Sequence, residues 1–78
     1  MNSYEKGRRW GYAVFRQQVK DNGKTGIRIC DKSALTCGKI AQKGKRNGKT
    51  LSPEQRSFYT GAVKGFQDFY NKLLKNNN

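Results

Sequence analysis

The sequence predicts a mainly α-helical domain in which two longer helices pack together, joined by a basic connector that holds a short helix or a β-hairpin. Three observations lead there. The C-terminal third repeats apolar residues at helical spacing, the first twenty residues do so more loosely, and 78 residues with 33% apolar content leave room for one small core. A domain of this size buries only roughly 60% of the surface its unfolded chain exposes, so a partner or a homodimer contact would support it.

The C-terminal helix is expected over residues 52–75. Ser52-Pro53-Glu54-Gln55 supplies an N-cap, a proline at the first helical position, an acid in the first turn and a glutamine at the capping-box position. From there Phe58, Tyr59, Ala62, Val63, Phe66, Phe69, Tyr70, Leu73 and Leu74 fall within an arc of about 160° at about 100° per residue. Lys72 and Lys75 suit the negative end of the helix dipole.

Residues 1–20 admit two periods. As a helix, Tyr4, Gly11, Tyr12, Phe15 and Val19 share a face on which Arg8 intrudes; as a strand, Trp10, Tyr12 and Val14 alternate. An internal echo favours the helix, because Gly7-x3-Gly11-Tyr12-x2-Phe15 matches Gly61-x3-Gly65-Phe66-x2-Phe69 in spacing. Glycines four apart lie on one helix flank and let two backbones approach. Each costs about 1 kcal/mol relative to alanine in a helix, so four of them ask for a packing role.

Residues 21–51 read as the connector. Asp21-Asn22-Gly23 is a turn signal, and the alternation of Ile27-Arg28-Ile29 makes Val19 to Ile29 a candidate hairpin. Ser33 is a candidate cap for a short helix through Leu35, Cys37, Ile40 and Ala41, and Asn47-Gly48 marks a second turn.

Composition excludes several chemistries. With no His and two Cys, the chain cannot build a four-ligand zinc site from nitrogen and sulfur donors, and no cofactor is expected. No stretch approaches 18 apolar residues and MNSYEKGRRW lacks an apolar segment after its charges, so neither a spanning helix nor a signal peptide is expected and the cytoplasm is the expected compartment. Cys30 and Cys37 then read as small buried hydrophobes; on one helix their Cα atoms would stand about 10 Å apart, too far to bridge. Two strings imitate a phosphate-binding loop and fail. Gly44 to Thr50 has three residues between its glycines where four are needed, and Gly23-Lys24-Thr25 has Gln18 where the first glycine belongs. Glu5, Asp21, Asp31, Glu54 and Asp68 are scattered, with no Ser or Cys beside a base, so no enzyme is expected.

The basic residues are the main functional signal. Seventeen Lys and Arg against five Asp and Glu give a net charge of +12, which attracts polyanions. Between Asp31 and Glu54 no acid occurs while Lys32, Lys39, Lys43, Lys45, Arg46 and Lys49 contribute six positive charges, most of them in a Gly-rich stretch read as a flexible phosphate clamp. Lys6-Gly7-Arg8-Arg9-Trp10, with Arg16 further on, sets arginines beside an indole, a combination that pairs with phosphates and stacks on bases. Trp10 itself reads either as core, since a small domain needs its largest side chain inside, or as a contact residue. Core is the reading preferred here. The candidate binding residues are Arg8, Arg9, Arg16, Lys39, Lys43, Lys45, Arg46 and Lys49.

Arg56-Ser57-Phe58-Tyr59-Thr60-Gly61-Ala62 resembles the Arg-Ser-x-aromatic-x-Gly start of the second helix in ribosome modulation factor, a small basic helical family that binds ribosomal RNA and promotes ribosome dimers. The pattern from Gly7 to Phe15 is similar to that family's first helix. The likeness covers about a dozen residues in two patches. The family's Cys-Pro-Tyr element between the helices has no counterpart, and the insertion there is longer. Leu51-Ser52-Pro53-Glu54-Gln55-Arg56 and its sequel also resemble an opening found in small accessory proteins of tailed phages. Both likenesses imply a non-enzymatic binding protein. The expectation is therefore a nucleic-acid binder preferring structured RNA or ribosomal particles over specific DNA. The alternative is a small inhibitor or adaptor, of phage type, docking its basic face on an acidic or nucleic-acid-binding protein surface. No membrane partner is expected.

Overall fold

The computed structural model describes residues 2–76. Three helices, α1 (Ser3–Asn22), α2 (Lys24–Lys43) and α3 (Pro53–Asn76), run up, down and up, with a two-stranded hairpin of β1 (Lys45–Arg46) and β2 (Lys49–Thr50) between the second and third. The mainly helical class and the packing of the two outer helices are as the sequence predicts. Both expected helices shift by only one or two residues at their ends.

Local chemistry accounts for the boundaries. The Asn2 side chain accepts a hydrogen bond from the Glu5 amide at 2.8 Å and starts α1. At α3 the capping box closes in both directions: the Ser52 amide donates to Gln55 Oε1 at 2.9 Å and the Gln55 amide to Ser52 Oγ at 3.2 Å. Between α1 and α2 the whole reversal falls on Gly23, at φ 55° and ψ −128°, a conformation that a side chain would strain. The Asp21-Asn22-Gly23 signal thus marks a helix-to-helix turn. The hairpin forms at Asn47-Gly48, both at positive φ, as a tight two-residue turn requires.

The connector holds a β-hairpin, one of the two forms expected of it, but the rest of its layout is corrected. The segment read as turns, bases and a short helix contains a full-length helix, α2, and neither the Val19 to Ile29 hairpin nor an Ile27–Ile29 strand forms. Its stripe starts earlier than Leu35. Ile27, Cys30, Ala34 and Cys37 recur at steps of three and four and face the core, whereas Ile29 and Leu35 are exposed. Lys32, Lys39 and Lys43, expected in part on a flexible stretch, are therefore held on a helix.

α1 and α3 run parallel, and their glycines mesh. A Cβ on Gly7 would collide with the Phe58 carbonyl, one on Gly11 with Ala62, one on Gly61 with Tyr4 and one on Gly65 with Arg8. The echo in the sequence is thus a packing motif, with each helix laying its backbone into the groove left by the other's missing side chains. Below this seam Phe15, Phe66 and Phe69 fill the core with Ala62, Cys30 and Cys37, and the Phe15 ring centroid stands 5.2 Å from that of Phe69. Both cysteines are free, and burial pushes their thiols up from the ordinary value. No helix among the described residues is long and apolar enough to cross a membrane.

Candidate nucleic-acid interface

The C-terminus of α2 and the hairpin form a single basic corner. Lys32, Thr36, Lys39 and Lys43 recur at steps of four, three and four along α2, so they form one stripe on its surface. Gly44 ends the helix by donating its amide to the Ile40 carbonyl at 2.8 Å, and the chain turns directly into β1. Arg56 of α3 holds this junction, its Nε donating to the Ala41 carbonyl at 2.7 Å and its Nη2 to the Gln42 carbonyl at 3.1 Å. A guanidinium fork thereby satisfies two of the carbonyls that a helix C-terminus leaves without partners.

Lys39, Lys43, Lys45 and Arg46 consequently line one surface groove, together with Thr36, Ile40 and Asn47 and without a carboxylate. Lys49 lies directly across the hairpin from Arg46. Like charges at paired strand positions repel, so this short hairpin carries an electrostatic load that an anion would relieve.

A second cleft opens beside this groove and shares Thr36, Ile40 and Arg46 with it; Trp10, Phe58, Tyr59, Lys32, Ser33 and Cys37 complete its lining. An aromatic chain leads out from the core to this point. Trp10 packs on Phe66 at 5.9 Å and on Phe58 at 5.7 Å, and Phe58 stands edge-on to Tyr59 at 5.9 Å. Arg46 then donates from Nη1 to the Tyr59 hydroxyl and lies 5.9 Å from its ring centroid. Trp10 is nonetheless 43% exposed, while alanine and cysteine side chains occupy fully buried positions. The expectation of a core Trp10 is corrected. The glycine seam brings the α1 and α3 backbones too close for an indole, which sits on the seam's flank with one part on Phe58 and Phe66 and the rest facing the cleft.

The remaining predicted residues lie elsewhere. Arg8 and Arg9 line a groove made by α1 and α3 alone, with Glu5, Tyr12 and Asp68. Arg8 Nε donates to Asp68 Oδ2 at 2.6 Å, and Lys64 stands 3.3 Å from the other carboxylate oxygen. Partial burial pushes the Asp68 carboxyl up, but the hydrogen bonds and charges of Arg8 and Lys64 outweigh it and hold the group below its ordinary value. Arg8 is thus engaged within the fold. Arg16 lies further along α1, in a separate small groove with Tyr12, Ala13, Gln17 and Lys20. Five of the eight candidates therefore converge at the α2–hairpin corner, and three do not.

Sequence reasoning missed Phe58 and Tyr59 as cleft residues, because their place on the apolar arc of α3 reads as core. Lys32 belongs to the cation run of the sequence, but its seven-residue spacing from Lys39 shares a face only if α2 is one continuous helix. Among the described residues no three potential ligands gather where they could hold a metal ion. Comparison with family models, curated proteins and solved structures finds no match to this chain. The resemblance to ribosome modulation factor rests on the residues that carry it in the sequence.

Proposed function

We propose that this protein binds nucleic acid without catalysing a reaction on it, with RNA as the favoured partner. One observation carries the reading: Lys39, Lys43, Lys45 and Arg46 converge on a carboxylate-free groove, with Lys49 paired across the hairpin from Arg46. Phosphates along a strand suit such an arrangement, since each cation neutralises one and releases condensed counterions. The net charge of +12 would draw the polyanion in from solution and speed the encounter. Helix α2 and the Arg56 clamp support the groove from below, so the cations are presented by ordered backbone and lose less entropy on binding.

A salt titration tests this. With about five phosphates neutralised, log affinity for an RNA duplex should fall against log salt with a slope near −4.5. Replacing Lys43, Lys45, Arg46 and Lys49 together by alanine should weaken binding and flatten the slope while the circular dichroism spectrum stays helical. Unchanged affinity in that variant would reject the groove. Saturable binding to an acidic protein surface with none to RNA would favour the inhibitor or adaptor role.

A further inference from the structure

We infer that the cleft around Trp10 is a stacking slot for an unpaired base, so that the preferred ligand is a single-stranded or looped segment whose backbone runs through the neighbouring cation groove. The inference rests on the proposed nucleic-acid binding and names the form of ligand that binding selects. Its basis is the connection of two surfaces with different chemistry. The aromatic cleft and the cation groove share Thr36, Ile40 and Arg46, so they are neighbours, and a strand leaving one over these side chains enters the other.

Each part of the cleft has a role in that occupancy. Trp10 is held from behind by Phe58 and Phe66 and still offers 43% of its surface, which makes it a braced platform. An exposed indole next to cations is an unusual use of the largest side chain in a chain whose core positions include alanine and cysteine. Bases stack on such aromatic faces whatever their identity, because every base has a π-face. Lys32 and Arg46 line the same cleft as the platform and can reach the phosphates on either side of a stacked nucleotide. Arg46 is itself positioned by the Tyr59 hydroxyl. Ser33 and Thr36 bring hydroxyls to the wall; Thr36 Oγ1 donates to the Lys32 carbonyl at 3.0 Å and keeps its lone pairs free to accept from a base edge. A paired base inside a duplex cannot reach the platform, since both of its faces are already stacked on its neighbours. Duplexes are then limited to the cation groove.

Trp10 is the single tryptophan of the chain, so its emission reports on this cleft alone. The experiment titrates the 78-residue chain with oligouridylate and with an RNA duplex of equal length, following Trp10 emission, its protection from acrylamide, and anisotropy of labelled RNA. Oligouridylate should quench Trp10 and shield it from acrylamide, while the duplex should bind by anisotropy without either effect. Trp10→Ala should lose roughly tenfold or more in affinity for oligouridylate and keep its duplex affinity and salt slope. Trp10→Phe should recover a substantial part of the loss. If oligouridylate binds but neither quenches nor shields Trp10, the slot is refuted and groove binding stands. If neither RNA binds, the nucleic-acid reading fails and the slot fails with it. Shielding by poly-glutamate with none by RNA would assign the cleft to an acidic protein segment and overturn the inference. The shielding measurement uses the unmodified chain, so the outcome does not depend on whether Trp10→Ala folds.

Discussion

Gly61 of α3 lies against the carbonyl of Tyr4 in α1, and Gly7 of α1 lies against the carbonyl of Phe58 in α3, the residue at the position equivalent to Tyr4. Gly65 and Gly11 repeat the exchange with Arg8 and Ala62, also at equivalent positions. Two parallel helices are thereby related by a local two-fold relationship in which each backbone occupies the space that the other's glycines leave empty. The close approach also allows Cα–H to carbonyl contacts along the seam, weak singly and repeated here.

Substitution at the seam should be costly in spite of helix propensity. Gly61→Ala gains about 1 kcal/mol of intrinsic propensity but drives a methyl into backbone that cannot rotate away, so a net loss of about 1–3 kcal/mol or more is expected. Gly38→Ala is the control. Its Cβ would meet only a Val63 methyl at 3.8 Å, an ordinary contact, and stability should rise by up to about 1 kcal/mol. Denaturant melts giving both variants the same sign would contradict the seam.

The core should respond as sharply on one side of α3 and barely on the other. Phe66 is 2% exposed and touches both Phe15 and Trp10, so Phe66→Ala should cost about 3–5 kcal/mol, enough to unfold a domain of this size. Lys64→Ala removes a half-exposed side chain and one surface ion pair, and should stay within about 0.5 kcal/mol. Thermal melts that fail to separate the two would put the helix in the wrong phase.

Arg56 should matter for stability and binding together, because its fork holds the last carbonyls of α2 where the basic corner begins. Arg56→Ala should cost about 1–2 kcal/mol, discounted for the exposure of the site, and should weaken RNA binding without removing any groove cation. Arg56→Lys keeps the charge and loses the fork, so it should rescue little. Full rescue by lysine would show that charge alone is at work.

Acid should release the tie between Asp68 and its two cations. Its carboxyl titrates lower in the folded chain than in the unfolded one, so its contribution is complete above the unfolded value of about 3.9 and is lost as the pH falls through the folded value. The Arg8 and Asp68 side chains are 49% and 23% exposed, so solvent screens the pair and the expected effect is small. Urea melts of the wild type and Asp68→Asn should differ by a constant amount from neutral pH down to about 5 and converge in acid. A difference that persists below the folded value would mean that the carboxylate charge is not what binds Arg8.

The sequence by itself determined the start of α3 and the outer pair: the Ser52 to Gln55 capping box, the apolar arc centred on Phe66, the paired glycine spacings and the places of the turns at Gly23 and Asn47-Gly48. Each depends on interactions within a few residues, or on a periodicity that survives without knowing the partner. Only the tertiary structure decided α2. Its glycines, its β-branched residues and the absence of a capping side chain at Gly23 weaken the local signal, and packing of Cys30 and Cys37 against α1 and α3 supplies what propensity does not. It also decided the geometry of the candidate site. Whether Trp10 is core or surface depends on how closely two backbones approach beneath it, and which of eight cations share a groove depends on where α2 ends and the hairpin turns. These are distances between segments far apart in the chain, which no local pattern encodes.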